Sequence, residues 1–150
     1  MRLARALLFV PVLTVVLAGC GGHSSSATQP TASRTVDVTM VDNAFAPATV
    51  NVTRGETVKF RFKNTGAMRH EGVIGDDAEQ DHHREDMAAS GGSAKAQDEH
   101  HGDGPQTAVT VEPGQTGELT HTFANGGTIL IGCHEPGHWE AGMKATVTVA

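Results

Sequence analysis

The sequence predicts an all-β domain, a Greek-key β-sandwich of about seven or eight short strands with one long acidic loop insertion. Three observations predict it. Apolar and polar residues alternate in short runs, the period of a strand with one buried face. The runs are separated by turn signals: Arg54-Gly55-Glu56, Asn64-Thr65-Gly66, Glu112-Pro113-Gly114-Gln115 and Asn125-Gly126-Gly127. No segment carries a convincing amphipathic-helix pattern.

The first 19 residues stand apart from the fold. Met1 to Arg5 holds two arginines, and Ala6 to Ala18 is almost wholly apolar. A short basic region followed by an apolar one is an export signal. The apolar stretch is shorter than the roughly 20 residues a retained spanning helix needs. Leu17-Ala18-Gly19-Cys20 resembles the lipobox of bacterial lipoproteins. That resemblance implies cleavage before Cys20 and lipid attachment to its thiol, hence a domain anchored to the cell membrane on its extracytoplasmic side. An ordinary secretory signal with a chance cysteine is the alternative. Residues 20–33, rich in Gly, Ser, Thr and Ala, read as a flexible tether. Residues 34–150 then form the domain.

Within it, Val36, Val38 and Met40 share one face of a first strand. Phe45 and Pro47 interrupt, and Val50 and Val52 resume the alternation. Val58, Phe60 and Phe62 alternate with Thr57, Lys59, Arg61 and Lys63. These runs argue for antiparallel pairing with one buried face. In the C-terminal third, Val109 and Val111 form a short strand, and Leu119 and Phe123 belong to the next. Thr128 to Ile131 is an apolar strand, and Ala145 to Val149 closes the domain.

Residues 75–106 break the pattern. They hold nine carboxylates against Arg84 and Lys95, with Gly and Ser and no apolar periodicity. An insert this long in a compact domain is usually functional or disordered. Asp76 to Ala89 could hold a short helix. The insert also carries Asp81-His82-His83-Arg84-Glu85-Asp86-Met87 and Asp98-Glu99-His100-His101-Gly102-Asp103. Imidazoles beside carboxylates, with Met87 among them, could hold additional, weakly bound copper. A solvated acidic loop whose histidines hold no metal is the alternative.

The net charge of −6 makes nucleic acid an unfavourable partner. The cysteine count is more telling. If Cys20 is acylated, Cys133 has no partner in the chain, and an unpaired thiol in an oxidising compartment calls for an occupant such as a metal. A Cys20–Cys133 disulfide is the alternative.

The densest chemistry lies in Cys133-His134-Glu135-Pro136-Gly137-His138-Trp139-Glu140-Ala141-Gly142-Met143. A loop between two strands can fold Cys133, His138 and Met143 onto one point. Thiolate and imidazole suit copper and zinc, and a thioether favours copper. A second histidine must come from elsewhere, and His70, beyond the Phe60/Phe62 strand and the Asn64-Gly66 turn, fits. This pattern resembles the cupredoxins, the type 1 copper proteins of plastocyanin and azurin type, over about residues 35 to 150 apart from the insert. The ends of the pattern look most like copper-tolerance cupredoxins of bacterial envelopes. The resemblance implies one type 1 copper held by His70, Cys133 and His138 with Met143 as a weak axial ligand. It also implies His138 as the electron port. Where many cupredoxins place Asn or Ser after the first histidine, this chain has Glu71, which alters the hydrogen bonding that ties the ligand loops. His134 beside Cys133 is either a support to the ligands or exposed. Trp139 either covers the site or docks a partner.

The expected function is one-electron transfer outside the cytoplasm, by a monomer that meets a redox or copper-transfer protein of the envelope. The alternative is copper homeostasis, in which the protein sequesters, delivers or detoxifies the metal. An enzyme is not expected. Related copper oxidases and nitrite reductases use His-x-His pairs that are missing here, and the binuclear domain of respiratory oxidases needs two cysteines in this loop.

Overall fold

The computed structural model describes residues 32–91 and 107–150. Its elements run β1 (Arg34–Val41), β2 (Ala44–Ala46), β3 (Thr49–Val52), β4 (Thr57–Asn64), β5 (His70–Gly75), α1 (Asp77–Ala89), β6 (Ala108–Val111), β7 (Thr116–Thr122), β8 (Gly127–Gly132) and β9 (Lys144–Val149). The strands form two sheets, one in the order β2-β1-β4-β7 and one in the order β3-β9-β8-β5-β6. This is the expected β-sandwich, with nine strands.

The alternating runs become strands with one buried face. In β4, Val58, Phe60, Phe62 and Asn64 are buried while Arg61 and Lys63 are exposed. Val38 and Met40 of β1 and Leu119 of β7 join them from the same sheet. Val50, Val52, Ile74, Ile131, Ala145 and Val147 face them from the other. Phe60 anchors the core: its ring lies 6.1 Å from the Phe62 ring, stacked, and 6.1 Å from the Phe123 ring, edge-on. Offset and edge-on aromatic pairs add to the stability that burial alone supplies.

Two features differ from the sequence expectation, and a third settles one it left open. Pairing is mixed: β1 runs parallel to β4, and β3 parallel to β9. Alternation reports which face is buried, and it is the same for either strand direction. Second, β5 is a full strand with every residue buried, sandwiched between β6 and β8. A strand covered on both faces loses the alternation by which it would be recognised.

Third, the short helix that Asp76 to Ala89 could hold is present. Asp77–Ala89 is an α-helix, capped by the Asp76 carboxylate, which accepts from the Glu79 amide at 3.0 Å. Asp77 and Glu79 in the first turn complement the helix dipole. Its buried residues are Gln80, His83 and Met87, spaced three and four apart along one face. The stripe is polar, so an apolar pattern does not reveal it. The helix lies against β5 and β8. A Cβ on Gly132 would collide with the Gln80 side chain and the Trp139 ring, so a glycine there admits both.

Truncating Phe60 to Ala should destabilise the domain by about 3–5 kcal/mol, the usual cost of an aromatic cavity. Urea unfolding monitored by circular dichroism checks this, and a loss below about 1 kcal/mol would show that the core is not centred there.

Candidate metal centre

The site forms where the two sheets meet at one end. Asn64, at the end of β4, prepares it. Its amide donates to the Met68 carbonyl at 2.8 Å and to the Val111 carbonyl at 2.9 Å, and its oxygen accepts from the Gly66 amide at 2.9 Å. These bonds hold the turn that delivers His70 to the start of β5. The other residues come from the loop after β8. Cys133 donates its amide to the Met143 carbonyl at 3.2 Å, and the Met143 amide donates to the His138 carbonyl at 3.0 Å. The loop is thereby closed on itself. Gly137 and Gly142 take positive φ of 82° and 88°, which lets the chain reverse inside it.

The result is a convergent set of donors. His70 Nδ1 lies 3.3 Å from His138 Nδ1, which lies 3.3 Å from Cys133 Sγ. Among the described residues, His70, Cys133 and His138 form the one group of three His, Cys, Asp or Glu side chains whose ligand atoms all lie within 4.8 Å of one another. Met143 is wholly buried at the end of the same loop. Two imidazole nitrogens and a thiol meeting at this range, in a pocket closed to water, are a soft-to-borderline ligand set that suits copper.

The electrostatics favour a metal there too. Burial pushes the Cys133 thiol up to about 11, and no cation offsets it. The Glu71 amide donates to Cys133 Sγ at 3.3 Å, which partly opposes the shift. Burial and the neighbouring His138 push His70 below its ordinary value. His70 therefore favours the neutral form that binds metal, and a divalent ion would supply the positive charge the thiolate lacks. His70 Nε2 makes no hydrogen bond, although Asp42 Oδ1 lies 3.4 Å away.

Around this set, side chains the sequence reading passed over hold the ligand loops together. Arg69 and Glu135 form a two-pronged ion pair at 2.6 and 3.0 Å, linking the residue before His70 to the Cys133 loop. A bidentate guanidinium–carboxylate pair fixes orientation as well as distance. It supplies a tie between the ligand loops. Glu71, wholly buried, turns its carboxylate to His83 Nε2 at 3.3 Å. His134 is buried, not exposed. It bonds Gln80 Oε1 through Nε2 at 2.8 Å and stacks on Trp139 with 4.5 Å between rings. Burial and the nearby His83 push His134 down to about 4. Trp139 is half-buried, with Lys144 Nζ 3.7 Å above its ring.

Of the residues named for a possible second metal site, His82 is exposed and 3.4 Å from Asp86, whereas His83 and Met87 are buried and face inward. A helix sends adjacent residues about 100° apart, so His82 and His83 point to different faces. His100, His101 and Cys20 lie outside the described residues.

Comparison with known proteins agrees with this centre. Residues 32–150 match the plastocyanin/azurin family of copper-binding proteins. The chain is 38% identical over 141 residues to the copper-resistant cuproprotein CopI of Rubrivivax gelatinosus, covering 88% of this chain and 81% of that one. It is 34% identical over 149 residues to CopI of Pseudomonas aeruginosa, covering 85% and 81%. Among solved structures, auracyanin B superposes with a TM-score of 0.64 at 28% identity, over 81% of this chain and 92% of that one.

The buried groups set a pH window for the metal-free protein. Cys133 ionises near 9.0 in an ordinary environment and near 11 in the fold. Between those values the unfolded chain carries fewer protons, so stability falls as pH rises, by at most about 1.4 kcal/mol per pH unit. His134 protonates near 6.5 in an ordinary environment and near 4 in the fold, so stability also falls as pH drops through that range. Thermal melts of the metal-free protein should therefore peak between about pH 6.5 and 9. Cys133→Ala should remove the alkaline decline. An alkaline decline that survives in Cys133→Ala would assign it to another group.

Proposed function

The chain belongs to the plastocyanin/azurin family of copper-binding proteins, and from that premise we propose that it carries one electron at a time on a single copper outside the cytoplasm. The observation that carries this reading is the buried meeting of His70, Cys133 and His138, ready-formed and tied down on every side. Copper, when bound there, supplies a one-electron couple between its cuprous and cupric states.

The chain's own residues do the rest. Cys133 would give up its proton to bind the ion, and His70 and His138 would each offer a ring nitrogen. Met143, buried at the end of the same loop, would be the weak fourth ligand. The Arg69–Glu135 pair and the Asn64 bonds tie the ligand loops and would resist their movement when a bound copper changed oxidation state. The Glu71 amide on Cys133 Sγ withdraws charge from the sulfur, one of the levers that sets the potential of such a site. His138 is 6% exposed, and Pro136, Gly137, Ala141 and Gly142 form the open surface around it. The electron leaves by that edge.

A second reading, copper tolerance, is favoured by a specific observation: the relatives from Rubrivivax gelatinosus and Pseudomonas aeruginosa are named copper-resistant cuproproteins. The two roles are compatible, since a tethered copper protein can hold the ion and cycle it. The lipid anchor at Cys20, the extracytoplasmic position and an envelope redox or copper-transfer partner complete the proposal. The export signal and the lipobox support them. No helix among the described residues is long and apolar enough to cross a membrane.

Purified protein loaded with cupric ion should show a strong thiolate-to-copper absorption band, and Cys133→Ser should abolish it. A wild-type protein without that band would sink the type 1 assignment. Deleting the gene should slow growth in added copper if tolerance is the role, and leave growth unchanged if electron transfer alone is.

A further inference from the structure

The helix of the insert buries groups that an ordinary packing helix keeps outside. Gln80 is 1% exposed and His83 8%. Burying polar groups is unfavourable unless each finds a partner, and here the partners belong to the residues that follow the ligands. Glu71 comes directly after His70, and His134 directly after Cys133. His83 Nε2 lies 3.3 Å from Glu71 Oε2, and Gln80 Oε1 2.8 Å from His134 Nε2. The Gln80 amide group also donates to the Val73 carbonyl at 3.0 Å, which roots the helix on β5. Glu71 itself links outward to inward: its carboxylate meets His83, while its backbone amide donates to Cys133 Sγ at 3.3 Å.

We propose that α1 is a working part of the copper centre, and that His83 is a positioning residue that acts on Cys133 through Glu71. This rests on the copper reading of the site given above. Glu71 is wholly buried, and a buried polar side chain is costly unless it is hydrogen-bonded, so the His83 contact helps set its orientation. His83 therefore holds the Glu71 side chain, and with it the peptide whose amide touches the sulfur. The insert histidine that the sequence offers as a metal ligand is instead a support for the ligands, and metal affinity depends strongly on such supports.

The test uses the full chain. His83→Leu should weaken cupric ion affinity by roughly 10-fold in a competition titration and move the thiolate-to-copper band. His83→Gln, which keeps a donor within reach of Glu71, should restore both. Met87→Leu, which alters an apolar residue on the same buried face, should leave both at wild-type values. Wild-type affinity and band in His83→Leu overturn the proposal. So does an equal loss in Met87→Leu, which would mean general helix packing, or a failure of His83→Gln to restore. Should His83→Leu not fold, Glu71→Gln carries the test: a similar shift supports the proposal and wild-type values overturn it. A wild-type protein lacking the band would instead remove the copper reading itself.

Discussion

A buried thiol controls this structure. Cys133 sits in a closed pocket where burial disfavours its charged form, and burial likewise disfavours the protonated form of His70 beside it. The site is thus arranged to lack one positive charge. The surrounding architecture keeps it so: His70, Cys133 and His138 are all buried, and their ligand atoms lie together.

Holding those atoms requires two separate parts of the chain to be brought to one end of the sandwich. The sheet does most of it. β5 and β8 lie side by side, with Val73 opposite Gly132, so His70 and Cys133 leave neighbouring strand ends. The polar ties then remove the remaining freedom. Asn64 fixes the approach to His70, the Arg69–Glu135 pair spans the two ligand segments, and the Met143 backbone closes the loop. Each tie is worth little alone, and together they leave the ligands one arrangement. The residue after the first histidine is Glu71, and its side chain reaches a helix that the insert supplies.

Much of this was legible in the sequence. Val58, Phe60 and Phe62 announce their strand because only one of its faces is buried. The loop from Cys133 to Met143 announces a soft metal because thiol, imidazole and thioether meet within one turn-rich segment. β5 was illegible as a strand because all six of its residues are buried and alternation disappears. Helix α1 was legible only as a possible short helix over Asp76 to Ala89, because the face it buries is Gln80, His83 and Met87 rather than an apolar stripe.

The sequence by itself determined the sandwich, the ligand types and the acidity of the insert, since each depends on local period or residue chemistry. Tertiary structure decided which strands run parallel, which histidine faces which partner, and that His83 turns toward Glu71 rather than toward His82. Those are questions of distance between residues far apart in the chain. Glu71 and Cys133 are 62 positions apart and meet at 3.3 Å. No pattern along the chain encodes that approach, and it follows only from how the two sheets and the helix pack.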